Sequence, residues 1–493
     1  MSPTGPLFYL TLLPFVAAVL VMLGSPARLV SRIFSGVLLA LTLALCVQYD
    51  RAAGGMAFGS ELPVSESLDL SLRFGADGLS LAMLLLTAIV TVAAVWVIPP
   101  MQDRENLFYA CVMLISGGVV GAFASTDVLF FYAFHEVALI PTFILIGLWG
   151  SGDRRVAAWK ATIYLGAGSF VLLLGILGVY LNLPDGVRTF DMTFWRNLPQ
   201  MQPDFSLPHW VYWLLLIGFG TLISLFPFHS WAPQAYASAP TPAAMLHAGV
   251  LKKFGLYGML RILVPLFPEA MEQYLNIFLI LLCGNILYIG LVTIAQKRLD
   301  WMLGYSSVMH MGYIFLGIAA LNEISLSGAA LLMVAHGLSI AACFAVCGVV
   351  RERTGTLEFA DLGGLAKPMP RLGLLFGFAA MASVGLPGFA NFPGELMVFF
   401  GAVGAGEVFG PGFTPSAIQI AAIVAVWGVV ISAVYMLRAY RRVFFGSMPE
   451  RWARLADVPV FTRYAVILLV VALMVVGFLP QLLLQYVTPS VLP

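Results

Sequence analysis

The chain is poor in charged side chains. Only 10% of its 493 residues are Asp, Glu, Lys or Arg, whereas a soluble domain carries roughly 25%. Hydrophobic residues make up 61% of the chain, so most of its surface must face lipid rather than water. The net charge is +1, which indicates neither nucleic acid nor an acidic partner. The composition therefore excludes a soluble enzyme.

Cysteine is also scarce. The five cysteines are scattered through apolar stretches, and neither a CxxC motif nor a cluster with histidine is present. Cys343 and Cys347 lie four residues apart on one helix face, which is typical of buried structural thiols. We expect no disulfide, iron–sulfur cluster or haem site. No glycine-rich loop of useful form indicates nucleotide binding, so we expect no cofactor in this chain.

Apolar runs long enough to cross a bilayer, which takes about 20 residues, recur along the whole chain. They predict an all-α membrane protein of about fourteen spans. The predicted spans are 6–24, 29–47, 76–98, 106–124, 127–149, 158–182, 209–228, 243–264, 273–295, 301–320, 325–350, 370–406, 416–440 and 461–486. The N-terminus lacks a basic region and a clean cleavage site, so we interpret it as the first span and not as a signal peptide.

Lysine and arginine are concentrated in alternate connections between these spans, which indicates orientation. The rich set holds Arg28, Arg32, Arg104, Arg154, Arg155, Lys297, Arg298, Arg351, Arg353, Lys367, Arg438, Arg441, Arg442, Arg451 and Arg454. The poor set holds Arg51, Arg73, Arg188, Arg196 and Arg261. We therefore expect the first set on the cytoplasmic side and both termini on the outer side. Neither of the long outer connections, 48–75 and 183–208, is large enough for a soluble enzyme domain.

Two of the predicted spans are interrupted. Four prolines between Phe226 and Pro242 end the seventh span, and Gly385-Leu-Pro-Gly breaks the twelfth. Paired broken helices in corresponding halves are typical of transporters with inverted repeats. The alternative is a plain loop after span seven and a simple proline kink in span twelve.

Ionisable residues lie inside five different spans, where burying a charge costs a few kcal/mol or more. The five residues are Glu136, Lys253, His310, His336 and Glu395. Such alternation of acid, lysine and histidine is typical of a proton relay. The alternative for each is local: Glu395 could cap a broken helix, and a histidine could simply form a hydrogen bond.

Three further residues are auxiliary candidates for the relay. They are Lys252, His229 and His247. The two histidines are equally well explained by local hydrogen bonds, and one of the adjacent lysines must point away from the other. Because the histidines and acids are scattered without metal-ligand spacing, we expect no metal site.

Several motifs, taken together, resemble the antiporter-like membrane subunits of respiratory complex I, and most closely the M-type (chain 4) branch. The resemblance extends over nearly the whole chain. Its motifs are Phe74-Gly-Ala-Asp-Gly-Leu-Ser, Phe130 to Trp149, Tyr305-Ser-Ser-Val-Met-His-Met-Gly, Ala335-His-Gly-Leu-Ser and Gly385-Leu-Pro-Gly with Gly394-Glu395. The resemblance implies fourteen helices with two inverted five-helix repeats, spans 4–8 and 9–13. The implied units are residues 1–100, 101–266 (first repeat), 267–446 (second repeat) and 447–493.

The resemblance also implies residue roles. The glutamate of the fifth span falls on Glu136, the central lysine on Lys253, the linking histidines on His310 and His336, and the terminal acid on Glu395. Related L- and N-type subunits and cation antiporters carry lysine at the last of these positions, so Glu395 favours the M type. One position departs from the pattern: where the family places a lysine in the seventh span, this chain has Leu222. Either Lys252 or water and hydroxyl groups then take over the role of that lysine, or Glu136 works differently.

The implied function is proton translocation driven by quinone reduction elsewhere in a NADH:quinone oxidoreductase. We expect protons to pass from Lys253 through His310 and His336 to Glu395. Quinone, NADH, FMN and iron–sulfur clusters are expected in other subunits, and related antiporter-like subunits are the expected neighbours in a bacterial cytoplasmic membrane. The alternatives are a subunit of a multi-subunit Na⁺/H⁺ antiporter, a subunit of a hydrogenase or formate-linked complex, and a structural spacer.

Overall fold

The computed structural model describes residues 4–51, 55–101, 103–184, 186–406 and 414–491. In this part of the chain the protein is a helical bundle with one two-stranded sheet. The first half contains α1 (Pro6–Met22), α2 (Ala27–Gln48), β1 (Ala57–Ser65), β2 (Leu70–Ala76), α3 (Gly78–Trp96), α4 (Glu105–Ala124), α5 (Val128–Trp149), α6 (Arg154–Asn182), α7 (Met192–Met201), α8 (His209–Ile223), α9 (Trp231–Ser238), α10 (Thr241–Leu246), α11 (Lys253–Gly258), α12 (Val264–Leu266) and α13 (Pro268–Gln273).

The second half begins with α14 and ends near the C-terminus. It contains α14 (Leu275–Cys283), α15 (Ile289–Ala295), α16 (Leu299–Ala319), α17 (Glu323–Thr354), α18 (Pro370–Val384), α19 (Asn391–Gly404), α20 (Ala417–Phe444), α21 (Val460–Phe478) and α22 (Gln481–Val491). Three π-helical turns join neighbouring helices: His247–Leu251, Met259–Leu263 and Gly284–Tyr288. Short 3₁₀ turns lie at Glu66–Leu68 and Glu450–Trp452.

The predicted membrane fold is confirmed. Among the described residues, ten helical segments are long and apolar enough to cross a membrane, counting α14 and α15 as one segment with their π turn. Three shorter apolar helices are α1, α8 and α18. The count of fourteen spans, the two inverted repeats and the four unit boundaries stay predictions.

Helices α16 and α17 form the centre of the bundle. The most apolar stretch of α17 is buried throughout, whereas α2 and α21 keep most of theirs exposed. The exposed helices carry large apolar side chains on their outer faces, for example Trp427 and Phe478. Such a surface is stable in lipid and not in water, so the chain is an integral membrane protein.

The sequence prediction was wrong at two places. Residues 57–76, expected only as a connection, form an antiparallel hairpin in which Glu61 pairs with Arg73. Alternating polar residues and the turn at Asp69, which has a left-handed backbone, favour this hairpin. The predicted last span, 461–486, is two helices, because α21 ends at Phe478 and Pro480 precedes α22.

Both helix breaks are present. Helix α8 ends at Ile223, and its continuation α9 begins at Trp231. The backbone groups freed in this break are satisfied inside the protein: Phe226 N donates to Asn285 Oδ1 (2.7 Å), and Asn285 Nδ2 donates to the Ser224 oxygen (3.1 Å). An irregular backbone at membrane depth is stable only with such internal partners.

Candidate functional site: a line of buried ionisable side chains

Lys253 lies at the centre of the molecule, at the start of the short helix α11 between two π turns. Its side chain is fully buried. Nζ donates to the Ala248 carbonyl oxygen at 3.0 Å and lies 2.8 Å from His336 Nδ1 on α17. The π turn His247–Leu251 shifts the backbone register just before the lysine, as π turns often do at functional sites. Lys253 therefore bridges the two halves of the chain.

A close approach of two glycines makes this bridge possible. Gly249 lies in the π turn before Lys253, and Gly337 follows His336 on α17. A methyl group added at Gly337 would lie 2.6 Å from the Gly249 oxygen, a separation that real Cβ atoms do not adopt. Only glycine lets the two backbones come close enough for the lysine to reach the histidine ring.

His310 continues the line on α16. Its ring centroid lies 5.5 Å from that of His336. Nδ1 lies 2.8 Å from the Ser306 oxygen, and Nε2 lies 2.9 Å from the Ser383 oxygen. Because a neutral imidazole donates one hydrogen bond only, the two carbonyl acceptors are both satisfied when the ring is protonated. The surroundings of His310 can thus hold a proton.

The second helix break supplies one of these acceptors. Ser383 lies in the last turn of α18, whose terminal carbonyls have no partner within the helix. Gly385 ends the helix with φ of +80°, and a side chain there would collide with the Glu395 carboxylate. His310 and Glu395 therefore approach the same helix break. His310 faces Ser383 in the last turn of α18, and Glu395 lies beside Gly385, two residues later.

Glu395 lies on α19 and is 5% exposed. The ring centroid of Tyr313 lies 5.7 Å from that of His310. The Tyr435 hydroxyl pairs with the Ser306 hydroxyl at 2.8 Å, and the Ser306 carbonyl faces His310. Buried polar side chains therefore cluster around His310, near the helix break that Glu395 borders.

The contacts correct the order of the line. The sequence analysis placed His310 before His336, but Lys253 contacts His336 first, and His310 follows. The reason is that α17 packs against the π turn before Lys253, whereas α16 faces the break in α18. Sequence order along α16 and α17 does not reveal which helix is nearer to the lysine.

The auxiliary candidates have separate surroundings. Lys252 points away from Lys253 and donates to the Ser307 oxygen at 3.3 Å. His247 is buried, and its Nδ1 lies 3.4 Å from the Tyr236 hydroxyl, a local contact. His229 is half-buried beside Phe226 and Tyr288. Among the described residues, neither histidine side chain forms a hydrogen bond or a ring contact with the side chains of Lys253, His336 or His310.

Known proteins resemble this chain in sequence and in fold. Residues 125–437 match the family model described as NADH:quinone oxidoreductase/Mrp antiporter, transmembrane. NAD(P)H-quinone oxidoreductase chain 4 1 of Synechococcus elongatus is 34% identical over 445 residues, which cover 89% of this chain and 80% of the relative. NADH-quinone oxidoreductase subunit M of Rickettsia felis is 33% identical, with 83% and 80% covered. The chain belongs to the NADH:quinone oxidoreductase/Mrp antiporter family. A chain of respiratory complex I from Thermus thermophilus shares the fold, with a TM-score of 0.87, 29% identity and coverage of 99% and 100%.

At Glu136 the chain differs from the lysine-paired arrangement that the family resemblance implied. Glu136 lies on α5, accepts a hydrogen bond from the Ser169 hydroxyl on α6, and keeps 37% of its side chain exposed. Leu222 is buried, as its apolar side chain favours. The Ser169 hydroxyl is thus one neighbour of the carboxylate, and the hydroxyl substitute for the family lysine stays a prediction. No described contact joins Lys252 to Glu136, so the other substitute has no support.

Sequence reasoning missed a buried ion pair in this family member. Asp77 caps α3 by accepting from Ser80 N, and Arg261 donates to its carboxylate. Arg261 also donates to the Ser490 oxygen at 3.0 Å. The ion pair therefore connects α3, the π turn Met259–Leu263 that follows α11, and α22. The signal was available, because Asp77 belongs to the Phe74-Gly-Ala-Asp-Gly-Leu-Ser motif and Arg261 is a charge within a predicted span.

Proposed function

We propose that this chain is a proton-translocating membrane subunit of a NADH:quinone oxidoreductase. The carrying observation is the contact series Lys253–His336–His310, which leads through buried polar groups to the break beside Glu395. Lysine and histidine can each bind and release a proton. Ionisable groups buried at membrane depth are costly, so they mark functional sites such as proton relays. The similarity to chain 4 and subunit M relatives supports membership of such a complex.

In this proposal a proton enters near Lys253 and passes to His336 and then to His310. It then passes, with water, from His310 to Glu395 and leaves on the outer side. The protonated ring of His310 has two carbonyl acceptors, so the proton has a favourable stopping point midway. The energy comes from redox reactions in other subunits, where NADH, FMN, iron–sulfur clusters and quinone bind. This chain supplies no redox centre.

The membrane context is part of the same proposal. The chain lies in a bacterial cytoplasmic membrane with both termini outside, because lysine and arginine are concentrated in alternate connections. Related antiporter-like subunits lie on either side. The half-exposed Glu136 supports such a neighbour, since it borders a groove of about 180 Å³ between α5 and α6 with apolar walls. A carboxylate facing lipid alone is unfavourable.

The test is replacement of Lys253 by Ala in the reconstituted complex, with protons moved per electron as the measurement. A lower ratio at unchanged assembly is expected, since no other described lysine occupies the centre of the line. Lys297→Ala, an exposed lysine outside the spans, is the matched control and should keep the ratio. An unchanged ratio in Lys253→Ala contradicts the relay and favours a structural spacer.

The family model also names Mrp antiporters, so sodium/proton antiport is a second candidate. Glu395 disfavours it, because the resemblance implies lysine at this position in cation antiporters. Uptake of sodium into vesicles that contain the chain and its partners separates the two functions. Sodium movement without NADH oxidation would support antiport.

A further inference from the structure

The negative charge of Glu136, the acid in the first half of the chain, needs a group that balances it. Its Ser169 contact is a neutral hydroxyl, and a hydroxyl donates one hydrogen bond without supplying charge. The neighbouring helix α8 contributes Leu222, which has no polar atom. A carboxylate at membrane depth with only a hydroxyl is costly, so a cation should be near.

His135 lies directly beside it. Its side chain is 3% exposed, and its Nδ1 lies 3.4 Å from Glu136 Oε1. This nitrogen is buried and makes no hydrogen bond. Consecutive helix residues normally point in different directions, so the approach requires Glu136 to bend toward the ring. Nδ1 of His135 is therefore directed at the carboxylate.

Packing holds the His135 ring in this position. The ring stacks on Phe254, with centroids 4.0 Å apart and planes 23° from parallel. Phe254 directly follows Lys253, and it also lies 4.1 Å from Phe131 in a second stack. The stack thus connects the His135 ring to α11, the short helix that begins with Lys253, in a low-dielectric interior where charges interact strongly.

The other titratable groups around His135 come from two elements. His247 lies in the π turn before Lys253, and this turn packs against α5. Tyr132 lies one turn before Glu136 on α5. Neither supplies a permanent positive charge to the carboxylate. Glu136 is the acid that faces His135.

We propose that His135 is the cationic partner of Glu136 and that the two side chains share one proton. This inference rests on the proposed function and extends it from Lys253 back to Glu136. In one state an imidazolium faces a carboxylate, and in the other a neutral imidazole faces a carboxylic acid. The proton moves between Nδ1 and Oε1, so no other reactant is needed. The first state places a positive charge next to the lysine region and the second removes it.

Position 222 offers a direct way to replace this partner. Thr221 packs against Gly168, the residue before Ser169, and Phe219 lies 6.4 Å from Phe254 between ring centroids. Helix α8 therefore runs beside both Ser169 and the stack under His135. A lysine introduced at Leu222 would bring a cation to Glu136 from the other side.

The experiment compares His135→Phe with the double variant His135→Phe/Leu222→Lys in the assembled, reconstituted complex. Phenylalanine keeps the stack on Phe254 and removes the charge. We expect protons per electron to fall in the single variant, by the share that this subunit contributes, and to recover in the double variant. His209→Phe, which removes an exposed histidine from the start of α8, should leave the ratio unchanged.

A second measurement does not depend on pumping. Infrared difference spectra report whether Glu136 is a carboxylate or a carboxylic acid, with Glu136→Gln used to assign the band. We expect a carboxylic acid band in His135→Phe at neutral pH that disappears in the double variant. If that band change occurs while Lys253→Ala pumps normally, the pairing holds and the proposed function fails. An unchanged band in His135→Phe overturns the pairing, and so does a normal ratio in that variant when Lys253→Ala lowers the ratio.

Discussion

Lys253 Nζ and His336 Nδ1 lie 2.8 Å apart, although 83 residues separate them in the chain. The lysine belongs to the short helix α11 and the histidine to the long central helix α17. Because an ammonium group only donates, Nδ1 of His336 accepts and its Nε2 remains without a partner. One side of the ring is therefore fixed by the lysine and the other is free to pass a proton onward.

Replacing His336 by Gln should interrupt the line at this point. Glutamine can accept from Lys253, but its amide does not bind and release a proton near neutral pH. Loss of a positioned proton-transfer group costs about 10²–10⁴-fold in rate. We expect proton movement through this subunit to fall in that range with assembly retained, measured by pH-sensitive dye uptake in vesicles. Normal proton uptake by His336→Gln vesicles would exclude His336 from the path.

Gly385→Ala should damage the break beside Glu395. Its φ of +80° costs an L-residue about 1–2 kcal/mol, and the added methyl group would also displace the carboxylate. We expect a lower thermal unfolding temperature of the solubilised protein together with reduced proton movement. Gly36→Ala is the matched control, because a methyl group at that position in α2 meets open space. Equal unfolding temperatures for the two variants would contradict the argument.

Asp77→Asn should destabilise the whole chain. The substitution keeps a side-chain oxygen that can cap α3 but leaves the buried Arg261 without its counter-charge. Removing one partner of a buried ion pair costs about 3–5 kcal/mol. We expect strongly reduced amounts of assembled protein in membranes. The exposed pair Asp103–Arg104 provides the comparison, since Asp103→Asn should cost about 0–1 kcal/mol and leave the amount unchanged.

The hairpin of β1 and β2 should weaken in acid. Arg73 donates to Glu61 at 2.9 Å, and this hydrogen bond lowers the pKa of the Glu61 carboxyl below its usual value of 4.5. A lowered pKa in the folded state means that the contribution is complete above the unfolded value and is lost as the pH falls through the folded one. The protection factors of the Leu62 and Leu72 amides, which compare measured with intrinsic hydrogen exchange at each pH, should therefore fall as the pH drops through the folded-state pKa of Glu61.

The acid response of the hairpin has its own control pair. The protection factors in Glu61→Gln should no longer fall over this pH range, because the titrating group is gone. Glu66→Gln removes an exposed carboxylate from the same hairpin and should retain the acid response. A fall in protection that persists in Glu61→Gln would assign the effect to another group.

Much of the fold was accessible from the sequence, and for a clear physical reason. Lipid requires long apolar helices with internally satisfied backbones, so hydropathy alone located α3 to α6 within a few residues. The breaks after Ile223 and Val384 followed from proline and glycine. The hairpin at β1 and β2 was missed because it lies outside the membrane, where apolar length carries no information.

The sequence by itself determined which residues carry ionisable groups into the membrane: Glu136, Lys253, His310, His336 and Glu395 stood out because charge is rare in spans. Only the tertiary structure decided how they contact each other. It placed His336 next to Lys253, brought Ser383 to His310, and directed His135 at Glu136. These contacts join residues from distant parts of the chain, or depend on how one side chain bends. They arise from helix packing, such as the close approach of Gly249 and Gly337, which periodicity along a single helix does not encode.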